Sequence, residues 1–401
     1  MYVLNNQLRV GDIVLVRGAA KHSKVIAEIT KGHFSHAMIA LENGVFLEAI
    51  TGSGVQRTSS LRISFQDKSN VVVLRCNFPN AEIEQQVLTF ISVNSPKYQG
   101  QKYSFNGAIQ SIKATINDES FDGYFCSHLI ASIYADAGFP LLDKLVHKIT
   151  PNGLLESVFL NDITKEVIVP ISEVGSKRAE VSSLKFDCID AGGTTLSQDA
   201  KNHRKFLNET SKYFRRNGLD IPNNISEIPL ILMNQLDKAS VKKLDYQISK
   251  VYKKVGINKH ISNNVYSSNH LSQICKAMKE IDEFGEAHVL DLYQDYSYHF
   301  TSTLSKRYLL IKHQQLFNRC YERYNFKFFE LRLEYYTMMV NSINSLIEEA
   351  KDVLKNLEQS FPQYVKEFAD IKYSISCFVI EDQKDPEVRS ALISSLDAMN
   401  N

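Results

Sequence analysis

Four runs in the first part of the chain crowd or alternate apolar residues as strands do: DIVLVRG (12–18), SHAMIAL (35–41), VFLEAI (45–50) and NVVVLRC (70–76). Short runs rich in Val, Ile and Leu and bounded by Gly, Asn and Asp predict buried strands, and together they predict an α+β unit. At Cys126 the period changes. Leu129, Ile130, Ile133, Tyr134 and Ala137 follow at the spacing of one helix face, and Gly138 and Pro140 end the pattern. Beyond Gly285 the chain has no further glycine and only Pro362 and Pro386, with long stretches of Leu, Tyr, Phe, Glu and Lys, so this part predicts long helices. The stretch between is the most polar, with Ser176-Lys177-Arg178 and Gly192-Gly193. The expected organisation is a small antiparallel sheet with helices over 1–175, a polar linker with short helices over 176–265, and a long-helix domain over 266–401.

Composition narrows the function. The 401 residues are 44% hydrophobic and 23% charged, as in an ordinary globular protein of two or three domains. A net charge of +1, from 46 Lys and Arg against 45 Asp and Glu, supplies no field to gather a polyanion, so no nucleic-acid partner is expected. No apolar run approaches the roughly 20 residues that span a bilayer. The opening MYVLNNQLRVGD also lacks the basic and apolar parts of a secretory signal. The expected location is the cytoplasm. Six cysteines lie far apart with no CxxC pair, which predicts free thiols rather than a disulfide framework or zinc ribbon.

One of those thiols is in unusual company. Cys126 sits in the first turn of its expected helix, where unpaired N–H groups and the positive end of the helix dipole favour a thiolate. A packed helix-start cysteine is the plain alternative. About ninety residues earlier, His36 alternates with Phe34, Met38 and Ala40 on an expected strand, and Glu48 interrupts the apolar run VFLEAI. A buried carboxylate needs a partner, and an imidazole N–H is a suitable one. Whether the two meet depends on the turn. A two-residue Asn43-Gly44 turn puts Glu48 on the face opposite His36. A three-residue Glu42-Asn43-Gly44 loop with Gly44 left-handed pairs Met38 with Glu48 and makes His36 and Glu48 diagonal neighbours. The second form is expected, because it lets Glu48 orient His36.

The order GDIVLVRG, TKGHFSH (30–36), LEA with Gly54-Val55, GQKYSF (100–105) and YFCSHLIASIYADAG, with a tail TPNGLLES (150–157), resembles the circularly permuted papain-like cysteine hydrolases of the NlpC superfamily. The YiiX-like type is the nearest pattern, and lecithin:retinol acyltransferase is a more distant one. The resemblance covers about residues 8–170. It implies a permuted papain-like fold over 1–175, with Cys126 as nucleophile, His36 as general base and Glu48 as the residue that orients it. It also implies acyl transfer through a thioester, as in a thiol protease, cysteine peptidase, amidase or lipid acyltransferase, with no cofactor. Tyr124, Tyr103 and Ser35 are candidates to bind substrate or the oxyanion. Phe125 and His128 stand where the family often has Tyr and Glu.

A zinc site is the competing chemistry, since His33, His36, Cys126 and His128 are suitable ligand types. His33 and His36 point to opposite sides of an extended segment, and Cys126 and His128 project from different sides of a helix turn, so no metal is expected. His22, His147 and the C-terminal histidines read as solvated or incidental. Asp190 to Thr195 lacks the lysine and spacing of a phosphate loop. The run YERYNFKFFELRLEYYTMM (321–339) reads as a helix–helix core or dimer seam, and secondly as a partner surface. The expected partners are therefore an amide- or acyl-containing substrate, transient lipid contact without a spanning segment, and a second copy or another protein held by the C-terminal helices. The functional expectation is a bacterial hydrolase or acyltransferase, cytoplasmic or delivered as an effector or toxin. The alternative is a catalytically silent scaffold whose helices bind a protein.

Overall fold

The computed structural model describes residues 1–5, 7–18, 32–60, 63–104, 107, 123–171, 187–191, 198–235, 238–259 and 270–400. His22, Thr30, Lys31, Phe105, Ser176 to Arg178 and Gly192 to Thr195, all named above, lie outside them. The chain divides into two compact units. The first holds Met1–Glu173, Val181–Leu207 and Pro222–Glu227, and the second includes Asn208–Ile221 and Ile228–Asn401.

The first unit is α+β. Its strands are β1 (Tyr2–Leu4), β2 (Ile13–Val16), β3 (His36–Leu41), β4 (Val45–Ile50), β5 (Gly54–Ser59), β6 (Ile63–Phe65), β7 (Val71–Cys76), β8 (Leu160–Asp162), β9 (Ile168–Pro170) and β10 (Asp187–Cys188). The helices α1 (Ala81–Asn94) and α2 (Cys126–Asp136) and the single turn α3 (Thr164–Val167) complete it, together with the first part of α4 (Gln198–Arg216). The four runs picked out by pattern are β2, β3, β4 and β7. They form the middle of a six-stranded sheet ordered β5-β4-β3-β2-β7-β8, antiparallel at every pairing. A second sheet, β10-β6-β1-β9, is antiparallel except for the parallel β10–β6 pair. Its strands come from the start, the interior and the later part of the unit and were not expected from pattern.

Both faces of the larger sheet are covered, which is why β2 reads as an unbroken apolar run rather than an alternating one. Ile13, Leu15, Ala37, Ile39, Leu47 and Ala49 pack with Val87, Leu88 and Ile91 of α1 and Leu129, Ile130, Ile133 and Tyr134 of α2. Val14, Val16, Met38, Ala40, Phe46 and Val73 pack on the other side with Leu4, Ile63 and Phe65 of the second sheet. Each Val, Leu, Ile, Met or Phe side chain among them contributes roughly 1.5–3 kcal/mol by leaving water. Phe34 departs from the expected alternation: it packs with Ala37 and Ile39, whereas Met38 and Ala40 face the second sheet. Regular alternation begins only at His36, where β3 starts.

The second unit is helical: the remainder of α4, then α5 (Ile228–Met233), α6 (Lys238–Val255), α7 (His270–Phe284), α8 (His288–Tyr324), α9 (Lys327–Ser360), α10 (Val365–Asp382) and α11 (Pro386–Asn400). With 19 and 18 residues, α4 and α6 exceed the short helices expected over 176–265. Their apolar residues recur on one face only, so an average over the stretch reads as polar. The 37-residue α8 and 34-residue α9 form an antiparallel hairpin. Tyr293 bonds Glu358, Arg307 bonds Asn344 and Gln314 bonds Thr337, a ladder that converges on the bend. Asn325 makes the bend at φ 52°, and the Asp245 carboxylate of α6 accepts the Lys327 and Phe328 N–H groups at 2.8 Å to cap α9. The run 321–339 is therefore broken by this bend. Beyond it, the buried Arg332 guanidinium packs among Phe317, Tyr335 and Tyr336.

Candidate active site

The antiparallel registers bring the start of β3, the end of β4 and the start of β5 to one end of the larger sheet. Between β3 and β4, Glu42–Gly44 forms a single 3-10 turn with Gly44 at φ 64°, so Leu41 pairs with Val45 and Met38 with Glu48. This is the three-residue connection. It sets Glu48 diagonal to His36, and His36 Nε2 meets Glu48 Oε2 at 2.8 Å. The other carboxylate oxygen accepts Gln56 Nε2 at 3.0 Å and Thr58 Oγ1 at 2.5 Å from β5.

Cys126 is the first residue of α2, and the helical positions expected to be buried are all inside. Its N-cap, Phe125, is extended and has no side chain able to accept a hydrogen bond. Helix geometry gives the first-turn N–H groups no acceptor within the helix, so they are suited to a developing negative charge. Gly138, at φ 82°, ends the helix, and Phe139 N–H donates to the Tyr134 carbonyl at 2.9 Å.

A path of close backbone contacts fixes the helix start to the sheet. Val55 N–H donates to Gln101 O at 2.9 Å, and Tyr124 N–H to Lys102 O at 2.9 Å. Tyr103 and Tyr124 form a parallel bridge. The approach requires glycine twice. A Cβ on Gly54 would lie 2.0 Å from the Gln101 oxygen, and one on Gly123 would lie 2.2 Å from that of Lys102, both at positive φ. The motifs Gly54-Val55, GQKYSF and GYFC thus meet at one place although they are spread over some seventy residues.

The electrostatics follow from this contact. Burial alone would hold His36 below its usual range. Hydrogen bonds to Cys126 and Glu48, with their charges, overcome that and push it up to about 10. Burial works to raise Glu48, but bonds and charge from His36, then Thr58 and Gln56, hold its carboxyl below the usual range. Tyr103 is raised by burial and by the neighbouring Cys126, and its hydroxyl bonds Thr51.

The structure therefore brings together Cys126, His36, Glu48 and Tyr103. Tyr124 packs instead against Tyr98, at 5.8 Å, and His128, at 4.9 Å. Ser35 belongs to the fold: its buried hydroxyl accepts Gly18 N–H at 2.9 Å and its own N–H donates to Val16 O. His147, expected to be solvated or incidental, is buried, and burial together with His147 holds the buried His128 down at about 4. The single 3-10 turn at Val146–Lys148 turns the imidazole inward, which composition does not signal. His33 Nε2 bonds Ser69 O at 3.0 Å. Among the described residues, no group of three or more His, Cys, Asp or Glu side chains is arranged to hold a metal ion.

Three positioning residues escaped the sequence reading. Gln56 and Thr58 read as ordinary polar positions of a weak strand. Asn152, inside TPNGLLES, clamps the segment before His36: Nδ2 donates to Phe34 O at 2.7 Å and Oδ1 accepts Phe34 N–H at 2.9 Å. A side chain on Gly32 would strike the Asn152 amide at 2.0 Å.

No family model matches this chain, and no curated protein matches it. A solved structure, the metalloprotein yiiX of Escherichia coli O157:H7, is similar at 18% identity and a TM-score of 0.29, over 39% of this chain and 97% of that one. That weak likeness carries no chemical argument. Among the described residues, no helix is long and apolar enough to cross a membrane.

Proposed function

We propose that the first unit is a cysteine-dependent hydrolase or acyltransferase of the permuted papain-like, YiiX-like kind, acting on an amide or acyl ester bond. The observation that carries the reading is the His36–Glu48 bond at 2.8 Å, with the buried Cys126 thiol near enough to raise the proton affinity of the same imidazole. Tyr103 stands beside the thiol.

The chemistry follows from those positions. His36 takes the Cys126 proton, and the sulfur attacks the substrate carbonyl carbon. The resulting oxyanion is held by N–H groups of the α2 first turn, including that of Cys126. The tetrahedral adduct collapses, the C–N or C–O bond breaks, and the leaving amine or alcohol takes the proton from His36. Water or another acceptor then attacks the thioester with His36 as base, which transfers the acyl group and regenerates the thiol. Glu48 keeps the ring oriented and balances its charge. The helical unit serves substrate choice, assembly with a partner or targeting. Action in a bacterial cytoplasm, or in a recipient cell as an effector or toxin, belongs to the same proposal.

The test is covalent trapping. Intact protein is incubated with panels of acyl esters, acyl thioesters and peptide amides, and its mass is measured. A mass increase equal to one acyl group, localised to Cys126 and absent from Cys126→Ala, supports the reading and names the substrate class. No adduct and no turnover with any panel would leave the alternative of a retained fold whose helices bind a protein.

A further inference from the structure

Glu48 has more hydrogen-bond donors than the orientation of one histidine requires. His36 occupies Oε2, while Oε1 receives both Gln56 Nε2 and Thr58 Oγ1, and the Gln56 amide also reaches Thr58 Oγ1 at 3.4 Å. The register of β4 and β5 sets Gln56 opposite Glu48 and Thr58 opposite Phe46, so the polar side chains share the face that otherwise packs Val14, Met38, Ala40 and Phe46. Gln56 is fully buried and Glu48 only 6% exposed. In such surroundings polar groups cost free energy unless each is paired, and an aliphatic residue would fill the place of Gln56 without that requirement.

We propose that Gln56 and Thr58 are positioning residues that hold Glu48 ionised and aimed at His36, so that the Cys126–His36–Glu48 system extends onto a third strand. The inference rests on the reading of Cys126 and His36 as nucleophile and base. Its physical basis is the choice open to a buried carboxyl group. With one oxygen unpaired in an apolar core, the neutral acid is favoured. A neutral Glu48 cannot balance an imidazolium, and His36 then binds its proton less tightly. Two donors on Oε1 remove that option and prevent rotation about the terminal bond. The titratable groups facing this system are Cys126 and Glu48 at His36, Tyr103 at Cys126, and His36 at Glu48.

The test follows the His36 ring directly. Full-length protein labelled with nitrogen-15 in histidine is titrated from pH 5 to 11 by NMR, with His36→Ala identifying the resonance. Thr58→Val removes a hydroxyl with almost no change of shape, Gln56→Leu removes the amide, and Thr58→Ser keeps the hydroxyl. Thr58→Val and Gln56→Leu are each expected to lower the pH at which His36 loses its proton by about one pH unit, a tenfold loss of proton affinity, and to slow Cys126 alkylation at pH 7 about tenfold. Thr58→Ser should match wild type in both. Circular dichroism and slow labelling of the core thiol Cys76 report an intact fold. Should Gln56→Leu not fold, Thr58→Val decides alone. An unmoved His36 titration in the folded variants overturns the proposal. If wild-type Cys126 reacts no faster than Cys76, the enzymatic reading fails, and the titration still decides whether β5 governs His36.

Discussion

Cys126 and Cys76 are buried thiols of one core, 3% and 9% exposed, and they differ in what stands beside them. Burial, with a smaller contribution from Glu84, pushes Cys76 up to about 12. Cys126 lies against His36, whose ring is raised from 6.5 to about 10. At about 1.36 kcal/mol per pH unit, that rise corresponds to on the order of 5 kcal/mol of interaction favouring the imidazolium. Cys126 and Glu48 are its two sources, with burial opposing both, and a thirtyfold difference in rate, about 2 kcal/mol, requires less than half of that interaction from the thiol contact. Iodoacetamide at pH 7, with peptide-level mass spectrometry, reads both thiols in one sample. We predict that Cys126 is alkylated at least about thirtyfold faster than Cys76, and that His36→Ala removes about that factor from Cys126 while leaving Cys76 unchanged. The exposed Cys275 supplies the rate of an accessible thiol. Equal, slow labelling of Cys126 and Cys76 in wild type would refute the reasoning, as would an undiminished Cys126 rate in His36→Ala.

Asn152→Ala should cost about 1–3 kcal/mol in urea denaturation through its two lost bonds to Phe34, and should also slow Cys126 alkylation because the segment entering β3 loosens. Gly123→Ala forces a Cβ against Lys102 O at φ 125°, so a loss of about 2 kcal/mol or more and of Cys126 reactivity is expected, with strand circular dichroism retained. The proton affinity of His36 is raised on folding, so its stabilisation is complete below about pH 6.5 and is lost as pH rises toward 10; that of Glu48 is lowered, so its stabilisation is present above its ordinary 4.5 and is lost as pH falls through the folded value. Urea midpoints should therefore fall less between pH 7 and 10 in His36→Phe than in wild type, and less on acidification in Glu48→Gln. In the helical unit, Asp245→Ala uncaps α9 and should cost about 1–2 kcal/mol in thermal unfolding.

Local pattern carried much of this protein. The apolar runs at β2, β3, β4 and β7, the helix face after Cys126 and the glycine-poor long helices are properties of neighbouring residues, whose period of two or about 3.6 follows from backbone geometry alone. The Glu42–Gly44 connection was legible for the same reason. A left-handed glycine after two loop residues sets the register, and the register determines which side of the sheet Glu48 faces.

What tertiary structure decided are contacts between distant parts of the chain. The second sheet joins β1 to β9 and β6 to β10, and no local period announces such pairs. Asn152 clamps Phe34 across 118 residues, and Gln56 and Thr58 acquire their role only because β5 lies beside β4. His147 is buried because one short turn aims it inward. Phe34 changes sides because regular strand geometry starts two residues after it. Sequence could nominate Cys126, His36 and Glu48 one at a time, since each is an unusual residue in its own element. Their proximity, and the donors that keep the carboxylate charged, depend on how a sheet and a helix pack, because hydrogen bonds and Coulomb forces act over a few ångströms in space and take no account of separation along the chain.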